Sequence, residues 1–156
     1  MKKVMFISST GGHLSELLQL EPLFQEYEYS VVTEKTKSTL GLADKYPNRV
    51  FYLVPGTKSH MISYVFKFSF NILKSFMLFM KRKPDVIVTT GTHTAVPMCY
   101  WAKLFGKKVI FIETFANSDT KSMAGKLVYP IADTFIVQWE SMLKEYPNAI
   151  YGGWIY

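Results

Sequence analysis

The sequence predicts a single domain of the α/β class, a doubly wound, mostly parallel sheet with helices on both faces. Three observations predict it. Short runs of apolar and β-branched residues recur along the chain, several of them continuously apolar, as strands buried on both faces are. Stretches with helical spacing of apolar residues separate these runs, the alternation that builds parallel sheets by crossover. The first run ends in Ser9-Thr10-Gly11-Gly12-His13, a glycine turn between strand and helix of the kind that holds ligands at the carboxyl edge of an open sheet. With 156 residues the chain can bury one core and is short for two.

In chain order, Val4 to Ile7 forms the first strand. Lys2 and Lys3 precede it as in a secretory signal, but the apolar run falls well below the ~7–15 residues such a segment needs. A helix is expected from Leu14, with Leu14, Leu17, Leu18 and Leu20 on its inner face and Glu16 and Glu21 outside. Tyr29 to Thr33 is a second strand, residues 34 to 48 a loop or short irregular helix, and Arg49 to Val54 a third strand stopped by Pro55-Gly56.

Residues 59 to 83 depart from the rest. They contain no Asp or Glu, and their polar residues His60, Ser63, Lys67, Asn71 and Lys74 follow steps of three and four along one stripe. A helix packed on a sheet needs an apolar stripe of only ~100°, and this one exceeds half the circumference. The expectation is a helix that packs on the sheet and also dips into an anionic bilayer interface. Phe66, Phe68, Phe70 and Phe76 would enter lipid while Lys67, Lys74, Lys81, Arg82 and Lys83 meet head groups. Lys67, Asn71 and Lys74 interrupt it too often for a span, which needs ~20 apolar residues.

Pro84 to Thr90 is a fourth strand, followed by a second glycine turn, Gly91-Thr92-His93-Thr94, and a helix over Val96 to Phe105. Lys107 to Glu113 is a fifth strand, Lys121 to Val128 a helix, and Thr134 to Val137 a sixth strand before a short helix ahead of Pro147. The tail, 148–156, is aromatic and uncharged, and Trp154, Ile155 and Tyr156 are costly to leave in water. They are expected to anchor a partner chain, and the alternative is that the tail folds back on its own sheet.

Composition narrows the function classes. The formal charge is +6, which favours an anionic partner. The lysines gather near the most apolar segment, so a lipid surface is expected and nucleic acid is not. One cysteine, Cys99, excludes an internal disulfide framework and is expected in the core. Three scattered histidines and one cysteine lack metal-ligand spacing, and neither a phosphate-loop lysine motif nor the G-x-G-x-x-G fingerprint is present, although Glu34 follows the second strand where a ribose-binding acid could sit. No metal or cofactor is expected.

Three loops end on the ligand-binding edge of such a sheet. They carry His13 and His93, each able to act as a base, an acid or a phosphate ligand or simply to hydrogen-bond backbone, and Glu113, able to act as a base or to hold a sugar hydroxyl. A structural role, capping the next helix or pairing with lysine, is an equal alternative for Glu113. Ser9, Thr10, Gly11, Gly12, Gly91, Thr92 and Thr94 would line the substrate with hydroxyl and backbone N–H groups.

These residues carry a resemblance. Ser9 to His13 is similar to the first glycine loop of the peptidoglycan N-acetylglucosaminyltransferase, a GT-B enzyme, and Pro84 to Val88, Gly91, Pro97 and Val109 to Glu113 resemble its second glycine loop and next strand. The run from Gly125 to Trp139, with Tyr146 to Ala149 and Tyr151-Gly152-Gly153, more closely resembles the acceptor-side, membrane-associated subunits of two-chain glycosyltransferases. These include the UDP-N-acetylglucosamine transferase of asparagine-linked glycosylation and enhancer subunits of bacterial capsular and exopolysaccharide β-1,4-galactosyltransferases.

The resemblance implies the N-terminal half of a GT-B enzyme, peripheral on the cytoplasmic face of the membrane and inactive alone. A separate catalytic subunit would bind the donor, with the UDP-sugar shared across the interface and a polyprenyl-diphosphate-linked saccharide as acceptor. His13, then Glu113, then His93 are the expected bases. The competing expectation is a scaffold that only binds membrane and activates its partner.

Overall fold

The computed structural model describes residues 1–56 and 61–155, and the side chains of all of these except 61–64. His60 and Tyr156 therefore lie outside the described residues, as does the side chain of Ser63.

Seven parallel strands form one sheet in the order β3-β2-β1-β4-β5-β6-β7. The strands are β1 (Lys3–Ile7), β2 (Glu28–Glu34), β3 (Val50–Leu53), β4 (Val86–Thr89), β5 (Lys108–Ile112), β6 (Thr134–Val137) and β7 (Ile150–Tyr151). The helices are α1 (Gly12–Leu18), α2 (Leu42–Lys45), α3 (Met61–Arg82), α4 (Val96–Leu104) and α5 (Met123–Val128), with 3-10 turns at Glu21–Glu26 and Glu140–Leu143. The fold class is the expected one. The chain runs outward from β1 to β3, crosses back over α3, and runs outward again from β4, so the order reverses between β1 and β4. That switch point is where such sheets open a crevice for ligand.

Alternation along the strands divides the core in two. Met5, Ile7, Ile87, Val109, Phe111 and Phe135 face α3, α4 and α5, packing on Phe79, Met98, Ala102 and Val128. Cys99 is fully buried in this layer, and burial pushes its thiol up to about 12. On the opposite face Val4, Phe6, Val31, Val88 and Ile112 pack against Leu17, Leu20, Phe24 and Tyr46. That second layer is lopsided. Over β4, β5 and β6 the sheet instead forms the floor of an apolar groove of about 350 Å³, in which Val86, Ile110 and Ile136 are half-buried.

Three expectations change. The tail in part takes the alternative course and folds back on the sheet, where Ile150 and Tyr151 pair with Ile136 and Val137 as the edge strand β7. α1 begins two residues earlier than expected, on Gly12. Asn71 belongs to no exposed polar stripe. It is buried and bridges to β3's end, its amide donating to the Val54 carbonyl at 2.8 Å and accepting from the Val54 N–H at 2.9 Å. An amide can occupy an inward position because both its polar ends meet backbone partners.

The long helix also sorts its phenylalanines differently. Phe66 (73% exposed), Phe70, Leu73, Met77 and Met80 form an outward apolar strip. Phe76 instead packs on α4, its ring 4.8 Å from Trp101, and Phe68 lines an apolar slot between α3 and α4. Arg82 is half-buried with its guanidinium 4.8 Å from the Phe51 ring centroid. Phe68, Phe76 and Arg82 are thus partly taken up by contacts within the protein. Lys67, Lys74 and Lys81 recur every seven residues, which keeps them in one row along the helix. Lys83, at φ 48°, closes it by donating its N–H to the Phe79 carbonyl. No helix among the described residues is long and apolar enough to cross a membrane.

Candidate functional site at the switch point

The loops after β1 and β4 meet at the reversal of strand order, and His13 joins them. Its Nδ1 lies 3.0 Å from the Thr90 carbonyl oxygen, while the Thr90 hydroxyl donates to the His13 carbonyl at 2.7 Å. A carbonyl only accepts, so Nδ1 carries the proton in the neutral ring. Nε2 is then left as the ring's acceptor, the state a general base requires. The geometry also explains Gly91. It sits at φ 102°, a conformation that strains any residue with a Cβ, although a Cβ there would make only ordinary contacts, 3.6 Å from His13 Nδ1 and from the Phe111 ring.

Gly11 supplies the turn into α1 at φ 76°. A Cβ on Gly11 or Gly12 would meet no atom within 4 Å, so this lip of the crevice opens outward. Ser9 is buried and its carbonyl accepts from the Thr33 hydroxyl, which ties the loop to β2, whereas Thr10 is half-exposed beside the glycines. On the opposite loop Thr92 adopts φ 83°, a left-handed conformation that costs a β-branched residue ~1–3 kcal/mol and clusters at functional sites. His93 is half-buried one residue further on. Thr94 is buried, its hydroxyl donating at 2.5 Å to Glu34 at the end of β2. Glu34 also accepts from the Gly56 N–H, so it ties three segments together.

Glu113 does not face the crevice. Only 2% exposed, its carboxylate accepts from the Thr114 N–H at 3.1 Å, the Ser122 hydroxyl at 3.0 Å and the Tyr146 hydroxyl at 2.8 Å. The Ser122 oxygen in turn caps α5 by accepting from the Gly125 N–H at 2.9 Å. Burial raises the Tyr146 phenol far above its ordinary range, and the neighbouring carboxylate raises it further, so it stays a donor. A Cβ on Gly125 would overlap Glu113, Tyr146 and Ser122 together. The structure therefore corrects the expected base to a residue that organises the loop and the helix cap.

A participant the sequence did not single out is Glu16, expected outside and found half-buried. Its Oε1 accepts from the Thr114 hydroxyl at 2.9 Å and the Phe115 N–H at 3.1 Å, which fastens α1 to the loop after β5. Its Oε2 is shielded from solvent and has no hydrogen-bond partner among the described residues. Leaving such an oxygen unpaired costs ~1–3 kcal/mol or more. Its place one helical turn after His13 was the available signal.

Beyond Phe115 the rings stack. Trp139 lies 4.7 Å from Phe115 and donates its indole N–H to the Phe115 carbonyl, and Trp154 lies 5.3 Å from Phe115. Trp154 is 75% exposed and lines a cleft with α1, while Ile155 turns into the groove under β4, β5 and β6. Among the described residues no cluster of His, Cys, Asp or Glu could hold a metal ion.

Comparison with known proteins places the fold. Solved structures that share it include MurG of Acinetobacter baumannii, with TM-score 0.71 and 18% identity over 90% of this chain and 43% of that one. The UDP-GlcNAc 2-epimerase of Methanocaldococcus jannaschii, in complex with UDP-GlcNAc and UDP, matches with TM-score 0.71 and 16% identity over 97% of this chain and 46% of that one. The chain thus spans under half of either, and the fold is that of the N-terminal half of a GT-B protein. Among curated proteins, the UDP-N-acetylglucosamine transferase subunit ALG14 of Homo sapiens is 29% identical over 96% of this chain and 81% of its own length. The subunit of the same name in Candida albicans is 28% identical over 97% of this chain and 77% of its own. The family model described as "Oligosaccharide biosynthesis protein Alg14 like" matches residues 4–155. The chain belongs to the Alg14-like family of oligosaccharide biosynthesis proteins.

Proposed function

We propose that this chain is the acceptor-side, membrane-recruiting subunit of a two-chain inverting glycosyltransferase, acting in capsule or exopolysaccharide assembly. The supporting observation is the His13 ring, held by Thr90 so that Nε2 is the acceptor, on a crevice with one open lip. A partner chain supplies the donor site, and the UDP-sugar lies between the two. The acceptor hydroxyl oxygen attacks the anomeric carbon, its proton passes to His13 Nε2, and the bond to the UDP oxygen breaks. Gly91, Thr92, His93 and Thr94 form the facing lip, where His93 is the second candidate base, and Gly11 and Gly12 let a substrate approach the backbone. Glu113 acts by positioning.

The outward strip of α3 carries the membrane contact, with Phe66, Phe70, Leu73, Met77 and Met80 in the acyl boundary of the cytoplasmic face and Lys67, Lys74, Lys81 and Lys83 at anionic head groups. The acceptor is a polyprenyl-diphosphate-linked saccharide at that surface. The groove under β4, β5 and β6, with Ile155 on its wall, receives an apolar element of the partner.

The test is reconstitution with the partner on a lipid-linked acceptor. His13→Ala and His13→Gln should each lower kcat ~10²–10⁴-fold with donor binding unchanged. Full activity of His13→Ala would exclude this base and favour a scaffold role.

A further inference from the structure

A cleft of about 330 Å³ lies between α1 and the loop after β5, walled by Ser15, Glu16, Gln19, Phe115 and Trp154. We infer that it is a saccharide subsite. It deepens the acceptor-side proposal above and rests on it for the sugar's part in transfer, though not for its binding.

A pyranose ring has apolar C–H faces and a rim of hydroxyl groups, so it calls for an aromatic face beside carboxylate and amide groups. Both are present. Trp154 stacks on Phe115 with the rings 25° apart, and Trp139 holds Phe115 in place through a ring contact and the indole hydrogen bond. Trp154 is mostly solvent-exposed, which leaves ring surface for a ligand. Gln19, exposed at the end of α1, offers an amide with both donor and acceptor.

Glu16 decides between a sugar and an apolar protein anchor. Its Oε1 is committed to Thr114 and Phe115, so the side chain is already oriented before any ligand arrives. Its Oε2 lacks a donor among the described residues. That oxygen is shielded from solvent, so a sugar hydroxyl supplies the donor only where the groups covering it move aside, whereas an apolar side chain would leave it unpaired in either case.

Position then links the cleft to the chemistry. Glu16 follows His13 by three residues, so the two side chains are neighbours on α1, with Cβ atoms ~5–6 Å apart. A pyranose on Trp154 beside Glu16 therefore lies along the same turn of α1 as His13.

Binding can be tested apart from transfer. Saturation-transfer difference NMR on the full chain would use glucose, galactose, N-acetylglucosamine and cellobiose as probes, each on the order of 10 mM, with Trp fluorescence in parallel. At least one probe should receive saturation through its ring C–H protons. Trp154→Ala and Glu16→Gln should each weaken binding about tenfold or more, and Gln19→Ala severalfold. Trp154 and Gln19 are exposed, so their variants keep the test decisive if Glu16→Gln perturbs folding.

Three results would overturn the inference: no probe saturated, all three variants binding like the wild type, or sugar binding abolished when the partner chain is added. Sugar binding retained while His13→Ala stays active would leave the subsite standing and remove the proposed base.

Discussion

Tyr146→Phe removes one oxygen and nothing else from a buried network, and its cost follows from the structure. The ring keeps its packing on Tyr129 and Phe135, at centroid distances of 4.9 and 4.5 Å. What disappears is the 2.8 Å hydrogen bond to the buried Glu113 carboxylate, which retains its bonds from Ser122 and Thr114. A hydrogen bond to a charged group contributes ~1.5–3 kcal/mol. Against a urea slope of ~1–3 kcal/mol per molar, the unfolding midpoint should fall by about 1 M with the slope unchanged. Equilibrium urea unfolding followed by circular dichroism is the assay. Glu113→Gln should destabilise as well, and the double variant should fall short of the sum by ~0.5–3 kcal/mol, because both changes strike one interaction. A Tyr146→Phe midpoint indistinguishable from wild type, or strict additivity, would refute the assignment of Glu113 to the loop and helix cap.

Phe66→Ser with Phe70→Ser should reduce flotation with anionic vesicles by ~10²-fold or more, since each exposed Phe contributes ~1.5–3 kcal/mol when buried in lipid. Phe68→Ser with Phe76→Ser should lower the thermal midpoint instead, and equal loss of flotation from the two pairs without unfolding would contradict the sorting of this helix. Thr92→Gly should raise stability by ~0.5–2 kcal/mol in urea unfolding, because it relieves φ 83° and removes a buried hydroxyl that has no partner among the described residues. A loss of stability there would mean Thr92 is not strained. Burial pushes the Asp133 carboxyl up, but bonds from Lys108, the Val109 N–H and Lys103 outweigh it and hold the group at about 2. The folded value lies below the ordinary ~3.9, so this stabilisation is present above about pH 4 and is lost as pH falls through about 2. Asp133→Asn should flatten the acid-unfolding profile in that window, and an unchanged slope would count against the bonds.

Reading along the chain was enough to set the class of sheet, the six longer strands and the two glycine turns that border the switch point. Each rests on local chemistry: continuous apolar runs, helical spacing, and backbone conformations only glycine accepts cheaply. Residues 59 to 83 were likewise marked as too apolar for ordinary packing, because an excess of apolar circumference is visible without knowing the neighbours.

Which side chains face which neighbour became fixed only in three dimensions. Helical spacing put Asn71 among exposed polar residues, but the end of β3 supplied the backbone partners that let it be buried. Phe76 and Phe66 are chemically identical, and only the position of α4 separates a packing residue from an exposed one. Glu113 ends its strand as a catalytic base could, and it turns inward because Ser122 and Tyr146, nine and thirty-three residues away, converge on it. Glu16 looked like a solvated helix charge until the loop after β5, ninety-eight residues on, placed Thr114 against it. Long-range pairing of polar groups has no period along the chain, and so it can be read only once the sheet has brought its loops together.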